Sequence, residues 1–225
     1  MQGFTMCMGG TRKRMQGAFA ETLEGRRLLS TISWDYTEDP FYGAAATLDV
    51  GDNNTSGVYC EAAATVGGSS ADGEYEWDYY ADDGIDSEWV DVGVSLTVDG
   101  TDQIDLTIGS GSGREVSASE DAMTSIAKVV IDASVLNAGL AFSWANISVQ
   151  FYRDGQLVDS ATIATGPQAD TMDYTAWSAA EGVQITTAEI GCDEVVITGQ
   201  VRLQSDSPWF SAQSLFGQVR IYESA

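Results

Sequence analysis

Apolar and polar residues alternate along the chain from Thr31 to its end, with the period of two that is typical of β-strands. The alternation is clearest in residues 90–100, 194–204 and 214–223. One apolar and one polar face per strand indicate antiparallel sheets that cover a core on one side and meet water on the other. The pattern therefore predicts an all-β protein.

Two Asp-Gly pairs punctuate this pattern, at 99–100 and 154–155. Each pair separates two alternating segments, which is a strong signal for a β-hairpin. About ten strands fit the whole pattern, and an antiparallel two-sheet β-sandwich of jelly-roll-like type accommodates their one-sided faces. Residues 119–127 are the best candidate for a short helix in the body, and residues 31–225 are predicted to form a single domain.

The charge of the chain argues against several partners. The sequence carries 34 acidic and 10 basic residues, a net charge of −24, and half of the basic residues lie within the first 27 positions. Such a surface repels nucleic-acid phosphates and anionic lipid headgroups, so cations are its natural small partners. No apolar run is long enough to predict a transmembrane segment.

The chain contains no histidine. Ser-His-Asp and Cys-His catalytic sites are therefore impossible, and the commonest general base is missing. Glu74, Glu76 and Asp78 could share one face of a strand, which resembles the layout of sandwich glycosidases. Their spacing does not match the Glu-x-Asp-x-x-Glu pattern of that family. The sequence therefore favours a non-enzymatic protein and leaves a glycoside hydrolase as the weakest alternative.

Residues 1–30 differ in character from the rest of the chain. They carry a basic cluster at 12–14 and no strand alternation, and several of their apolar residues could form one side of a short helix. They lack the apolar run of a Sec-type signal peptide. After Phe19 the chain reads Leu23-Glu24-Gly25-Arg26-Arg27-Leu28-Leu29. This stretch resembles the LEPR-xLL sorting motif of exported planctomycete proteins, with Gly25 in place of the proline.

The resemblance implies export to the extracellular space or the cell surface, and it identifies a sorting class rather than an activity. Residues 1–30 are therefore predicted to be a leader. Its apolar residues are predicted to dock on a second copy or on another envelope protein, where they would complete or cover a sheet edge. These residues are Phe19, Leu23, Leu28 and Leu29.

Three cysteines are spread along the chain, with Cys7 in the leader and Cys60 and Cys192 in the body. Exported proteins retain disulfides. A Cys60–Cys192 bridge is therefore predicted, and it would close a long loop and constrain the unfolded chain. Free, buried thiols are the alternative interpretation.

Residues 73–92 combine acidic and aromatic side chains, and they are predicted to form a hairpin with aromatics in the core and carboxylates in water. In the returning strand, however, Trp89 falls in phase with Asp91 on the polar side. An exposed indole beside carboxylates can hold a sugar ring, because its flat face stacks on C–H groups while the acids accept hydroxyl hydrogens. The predicted glycan-binding residues are Trp77, Trp89, Glu76 and Asp91.

Four carboxylates crowd the turn within this segment. Like charges at such short spacing repel each other unless a cation joins them. Oxygen ligands in a glycine-containing loop suit Ca²⁺, although the spacing is not that of an EF-hand. A solvated acidic turn is the alternative interpretation. The predicted calcium ligands are Asp82, Asp83, Asp86 and Glu88.

These observations together predict an exported, non-enzymatic β-sandwich with a structural or adhesive role at the cell surface. Its predicted partners are further copies of itself or other envelope proteins within an extracellular assembly. A carbohydrate-binding module with calcium support, which would bind polysaccharide, is the first alternative. A β-sandwich glycosidase is the second.

Overall fold

The computed structural model describes seven ranges of the chain, namely 31–33, 43–52, 58–77, 85–86, 89–109, 115–205 and 215–223. Fourteen β-strands and no helix lie within these ranges. The all-β prediction is confirmed, whereas the expected count of about ten strands is not. The leader and its predicted helix lie outside the described residues.

The strands follow one another along the chain as β1 (Thr31–Ser33), β2 (Ala44–Asp52), β3 (Val58–Val66), β4 (Ser69–Trp77), β5 (Ile85–Asp86), β6 (Val90–Thr97), β7 (Asp102–Ile108), β8 (Glu115–Glu120), β9 (Ile126–Val135), β10 (Leu140–Arg153), β11 (Gln156–Asp170), β12 (Ala179–Thr186), β13 (Glu194–Ser205) and β14 (Leu215–Glu223). They form two sheets. The first sheet has the order β1-β12-β9-β14-β2-β3-β4, and the second has the order β11-β10-β13-β6-β7-β8, with β5 paired to the end of β13.

The pairings between described strands are antiparallel. The two sheets pack face to face in a sandwich-like arrangement around an apolar core to which both contribute. The rings of Phe142 and Trp144 meet edge to face at 6.3 Å near its centre. Gly217 in β14 lies against them, and a Cβ atom there would approach the Phe142 ring to 2.7 Å. Each large buried side chain stabilises the fold by about 1.5–3 kcal/mol.

Both Asp-Gly pairs lie between consecutive paired strands, which confirms the predicted hairpins. Asp154 and Gly155 have φ values of 53° and 70°, and they separate the paired residues Arg153 and Gln156. Positive φ at both central residues is the type I′ geometry that fits the twist of a two-residue hairpin. At the other turn, Gly100 has a φ of 86° between β6 and β7.

The short helix predicted at 119–127 is wrong. Strand β8 continues to Glu120, and β9 begins at Ile126. The amides of Ala122 and Met123 donate hydrogen bonds of 2.9 and 2.6 Å to the buried carboxylate of Asp102. The Asp102 side chain, from β7, therefore satisfies the backbone amides of this turn. Helical hydrogen bonds would add little to the stability of the segment.

Residues 73–92 do not form the predicted hairpin. Strand β4 pairs with β3 in the first sheet, whereas β6 pairs with β13 and β7 in the second. The chain therefore crosses between sheets where the sequence suggested a turn between neighbours. Both segments alternate, and alternation defines the faces of a strand without choosing its partner.

The predicted Cys60–Cys192 bridge is not formed. Cys192 is a free, buried thiol that pairs through its backbone with Ile126 at the start of β9. Cys60 aligns across β2 and β14 with Val135 at the other end of β9. Those ends lie about 30 Å apart along the strand, whereas a disulfide requires Cα atoms within about 7 Å. Burial raises the pKa of the Cys192 thiol, which disfavours the thiolate form.

Carboxylates from one sheet cover edge amides of the other. Glu181 in β12 accepts a 2.7 Å hydrogen bond from the amide of Gln168 in the edge strand β11. Glu120 in β8 accepts a hydrogen bond from the amide of Gly68, in the turn between β3 and β4. Unpaired edge amides attract further strands, so these two contacts reduce the length of edge that another chain could join.

Candidate functional site: a polar groove on the second sheet

The candidate site is an open groove of about 490 Å³ on the outer face of the second sheet. Inward residues of β6, β7 and β13 are buried in the core, and the alternating outward residues form the groove. Because these strands are direct neighbours, their outward side chains lie side by side. The residues that matter for its chemistry are Asp91, Gly93, Thr107, Asn146, Thr198 and Gln200.

Gly93 forms the floor of the groove. It is paired with Thr198 on β13 and with Thr107 on β7. A Cβ atom at Gly93 would lie 2.7 Å from the Thr107 hydroxyl oxygen. The missing side chain therefore keeps the surface low at this point, and the two threonines stand on either side of it.

A β-bulge brings Asn146 to the groove. The register between β10 and β13 shifts between Ala145 and Ser148, which places one extra residue in β10 and redirects a side chain. Asn146 has a φ of 51°, a left-handed conformation that asparagine tolerates better than most residues. Its exposed side chain consequently lies beside Gln200.

Three side chains form a hydrogen-bonded chain across the groove. The Asn146 amide nitrogen donates to the Gln200 side-chain oxygen at 2.7 Å, and the Gln200 amide nitrogen donates to Asp91 Oδ1 at 2.9 Å. The arrangement orients both amides and fixes which atoms remain for a ligand. The exposed Asp91 carboxylate can still accept hydrogen bonds, and Asn146 retains a further N–H to donate.

Trp89 borders the groove two residues before Asp91. Its side chain is 40% exposed, and the guanidinium carbon of Arg202 lies 5.9 Å from the ring centroid. A cation–π contact of this kind contributes about 0.5–1 kcal/mol at an exposed site and limits the orientation of the ring. Trp89 and Asp91 are thus both exposed next to the groove, as their phase in the sequence predicts.

The four predicted glycan-binding residues do not lie in one strand pair. Trp89 and Asp91 belong to the second sheet, whereas Glu76 and Trp77 belong to β4 at the edge of the first. The side chains of Glu76 and Trp77 lie outside the described part of the structure. Of the predicted set only Asp91 lines the groove, and Trp89 lies two residues before it.

Sequence analysis missed Asn146, Gln200 and Thr107. Gln200 and Thr107 occupy outward positions in alternating strands, so their phase could have marked them as surface residues. The sequence does not link Gln200 to Asp91, because the pairing of β6 with β13 joins segments about a hundred residues apart. Thr107 is closer to hand, since the hairpin at 99–100 pairs β6 with β7. The bulge at Asn146 interrupts the alternation of β10 without a glycine to mark it.

The predicted calcium ligands lie largely outside the described residues. Asp82, Asp83 and Glu88 fall in undescribed ranges, and only the backbone of Asp86 is described, in β5 opposite Gln204. Among the described side chains, no three acidic or cysteine residues are grouped so that they could hold a metal ion. The apolar leader residues predicted for assembly, Phe19, Leu23, Leu28 and Leu29, also lie outside the described part.

A second exposed aromatic region lies in the connection 171–178 between β11 and β12. Trp177 is 80% exposed and Tyr174 is 62% exposed. Buried Thr171 holds the connection in place, because its hydroxyl donates to the carbonyl oxygen of Asn137 at 2.6 Å and accepts a hydrogen bond from the Leu140 amide at 3.1 Å. This region is separate from the groove, and its aromatics stand outside the alternation on which the sequence analysis relied.

Within the described ranges, no helix is long and apolar enough to span a membrane. Comparison of the chain with models of protein families finds no match, and comparison with curated proteins also finds none.

Proposed function

We propose that the protein is an exported, non-enzymatic β-sandwich that adheres to polysaccharide through the groove on its second sheet. The observation that carries this proposal is the exposed Trp89 next to the hydrogen-bonded chain of Asn146, Gln200 and Asp91. Export rests on the motif-like leader, and adhesion rests on the groove.

The groove offers the chemistry that a sugar needs. A pyranose ring has an apolar C–H face and a rim of hydroxyls. The Trp89 indole supplies a flat apolar surface, while amide, hydroxyl and carboxylate groups can both donate to and accept from the rim. Each such hydrogen bond contributes only about 1 kcal/mol net, so useful affinity requires several of them together with the aromatic contact.

The groove supports binding more than hydrolysis. Glycosidases generally act with two carboxyl groups placed on either side of the scissile bond. Asp91 is the only carboxylate among the described residues that line the groove. A binding site needs no such pair, so the arrangement of Asp91 with two amides is sufficient for adhesion.

The test is affinity electrophoresis through gels that contain cellulose derivatives, xylan, mannan or starch. We expect one or more polymers to retard the protein and Trp89→Ala to abolish the retardation. Ile190→Ala is the control, because it removes an even more exposed apolar side chain away from the groove. Equal retardation of Trp89→Ala and the wild type would refute the proposed site.

A subunit role in an extracellular assembly is the second candidate function. It is favoured by apolar side chains exposed at one end of the sandwich, namely Trp177, Tyr174 and Leu136. The connection that contains Leu136 is tied to the aromatic one, since the Gly139 amide donates to the Thr171 carbonyl oxygen at 2.9 Å. Apolar residues concentrated on rigid loops are typical of contacts between proteins.

Light scattering of the full chain, with and without EDTA, tests this second role. A large particle that Trp177→Ala converts to monomer would support assembly through the exposed loops that contain Trp177 and Leu136. Dissociation by EDTA would add a calcium-dependent step and direct attention to Asp82, Asp83, Asp86 and Glu88. A monomer under all conditions would contradict assembly and leave adhesion unaffected.

A further inference from the structure

The polar surface of the second sheet continues beyond the groove along β7 and β8. Asp105 lies at its centre and is held by neighbours on both sides. Gln103 donates from its amide nitrogen to the two Asp105 oxygens at 2.8 and 3.0 Å, and the Ser117 hydroxyl also donates to Asp105. All three side chains lie on the outer face of the sheet.

This cluster is continuous with the groove. Asp105 is paired with Ser95, and Thr107, which borders the groove, is paired with Gly93 on the same strand. From Trp89 to Ser95 the chain advances six residues, or about 20 Å in an extended strand. That length covers several consecutive sugar rings rather than one, and the low floor at Gly93 lies between its two ends.

The outer surface from Trp89 to Asp105, which we call the strip, has a charge that selects among polysaccharides. Between Trp89 and Asp105 the outward groups are mainly hydroxyls and amides, together with the carboxylates of Asp91 and of Glu115, which is paired with Thr107. One apolar side chain, Val196, lies beside Ser95. The whole chain carries a net charge of −24, which repels polymers that bear carboxylate or sulfate groups. Among the described residues Arg202 is a nearby cation, and its guanidinium carbon lies 5.9 Å from the centre of the Trp89 ring.

We propose that this strip binds an uncharged, linear polysaccharide over several consecutive rings. One ring stacks on Trp89 at one end, and the Asp105 carboxylate, oriented by Gln103 and Ser117, accepts hydroxyl hydrogens at the other. This inference rests on the proposed glycan-binding function and adds the length and the charge of the ligand.

Isothermal titration calorimetry with cello-, xylo- and manno-oligosaccharides of two and six rings tests the inference. We expect six rings to bind at least about tenfold more tightly than two in the series that binds. We also expect Asp105→Ala to weaken six-ring binding about tenfold, the effect of one lost hydrogen bond to a charged group, and to leave two-ring binding unchanged. Ser117→Ala should act in the same direction but less strongly. Asp121→Ala is the control, since that carboxylate is exposed in the next loop.

The outcomes separate the two proposals. Binding that depends on Trp89 but is equal for two and six rings would overturn the extended strip and keep the groove. An equal effect of Asp105→Ala on both lengths would also overturn the strip. Alginate is linear and anionic. If it binds as tightly as the neutral chains, the charge preference is overturned. Absence of binding to every probe by the wild type would overturn both proposals.

Discussion

The outer faces of the two sheets differ sharply, although both come from alternating strands. On the first sheet, Val130, Arg220 and Tyr222 point away from the core and are nevertheless at most 5% exposed. Arg220 forms an ion pair with Asp132 there, and Lys128 lies 3.8 Å from the centre of the Tyr222 ring. On the second sheet, the groove remains open.

The difference shows that a side chain that points away from the core is not necessarily exposed to solvent. The closed face places its basic residues in specific contacts that stabilise the fold. The open face keeps hydroxyl, amide and carboxylate groups accessible, and these are groups that a ligand can use. The first face should therefore determine stability and the second should determine binding.

The largest expected effect is a loss of stability when the contacts of the closed face are disrupted. Arg220→Ala leaves the mostly buried Asp132 carboxylate without its ion-pair partner. We expect the free energy of unfolding to fall by about 3 kcal/mol, because removing one member of a buried ion pair is strongly destabilising. Urea unfolding followed by tryptophan fluorescence measures it. Arg202→Ala on the open face is the control and should lower stability by less than about 1 kcal/mol. Equal losses in the two variants would contradict the contrast.

The second effect fills the open face without damaging the core. Gly93→Leu places a side chain on the floor of the groove, where the nearest atom is the Thr107 hydroxyl oxygen. We expect retardation by a bound polysaccharide to be lost. The melting temperature should fall only modestly, because the Thr107 hydroxyl must rotate away from the new Cβ atom while the other added atoms point towards solvent. Gln156→Leu, at the exposed far end of β11, should leave retardation intact. A fully retarded Gly93→Leu protein would show that ligands bind elsewhere.

A smaller effect comes from two variants of Asn146, which separate the backbone conformation of the bulge from the hydrogen bonding of its side chain. Asn146→Ala places a non-glycine residue at a φ of 51° and should lower stability by about 1 kcal/mol. Asn146→Gly relieves that strain, so its stability should lie close to that of the wild type. Both variants lose the hydrogen bond to Gln200 and should weaken glycan binding alike. Unaltered binding in both would exclude Asn146 from the site.

The smallest effect concerns acid stability away from both faces. The Asp173 carboxylate accepts hydrogen bonds from the amide and hydroxyl of Thr175, and these bonds lower its pKa from the ordinary value of 3.8. A lowered folded-state pKa gives stability that is present above pH 3.8 and is lost as the pH falls through the folded-state value.

Unfolding of Asp173→Asn across the acid range measures this contribution. The stability difference from the wild type should be greatest near neutral pH and should shrink below pH 3.8. A difference that does not change with pH would contradict the role of the carboxylate charge. The acid sensitivity that remains in the variant then belongs to other groups.

Local features of the fold could be predicted from the sequence because they depend on near neighbours. The Asp-Gly pair at 154–155 specifies its own turn, since both residues tolerate positive φ. The phase of Trp89 with Asp91 follows from the geometry of one strand. Of these two predictions, only the second concerns the groove.

The incorrect predictions all failed because of contacts with strands from elsewhere in the chain. The hairpin at 73–92, the Cys60–Cys192 bridge and the helix at 119–127 each assumed a partner or a local structure that distant strands replaced. Periodicity contains no information on which strand lies alongside, because any alternating strand can pair with any other.

The sequence by itself determined an all-β protein with hairpins at its Asp-Gly pairs, a strongly acidic surface and an indole on a polar strand face. Only the tertiary structure decided that one outer face is closed around Arg220 while the other is open. It also joined Asp91 to Gln200 and, through a bulge, to Asn146. The physical reason is that backbone periodicity is set within a strand, whereas strand order and bulges are set by the packing of a shared core.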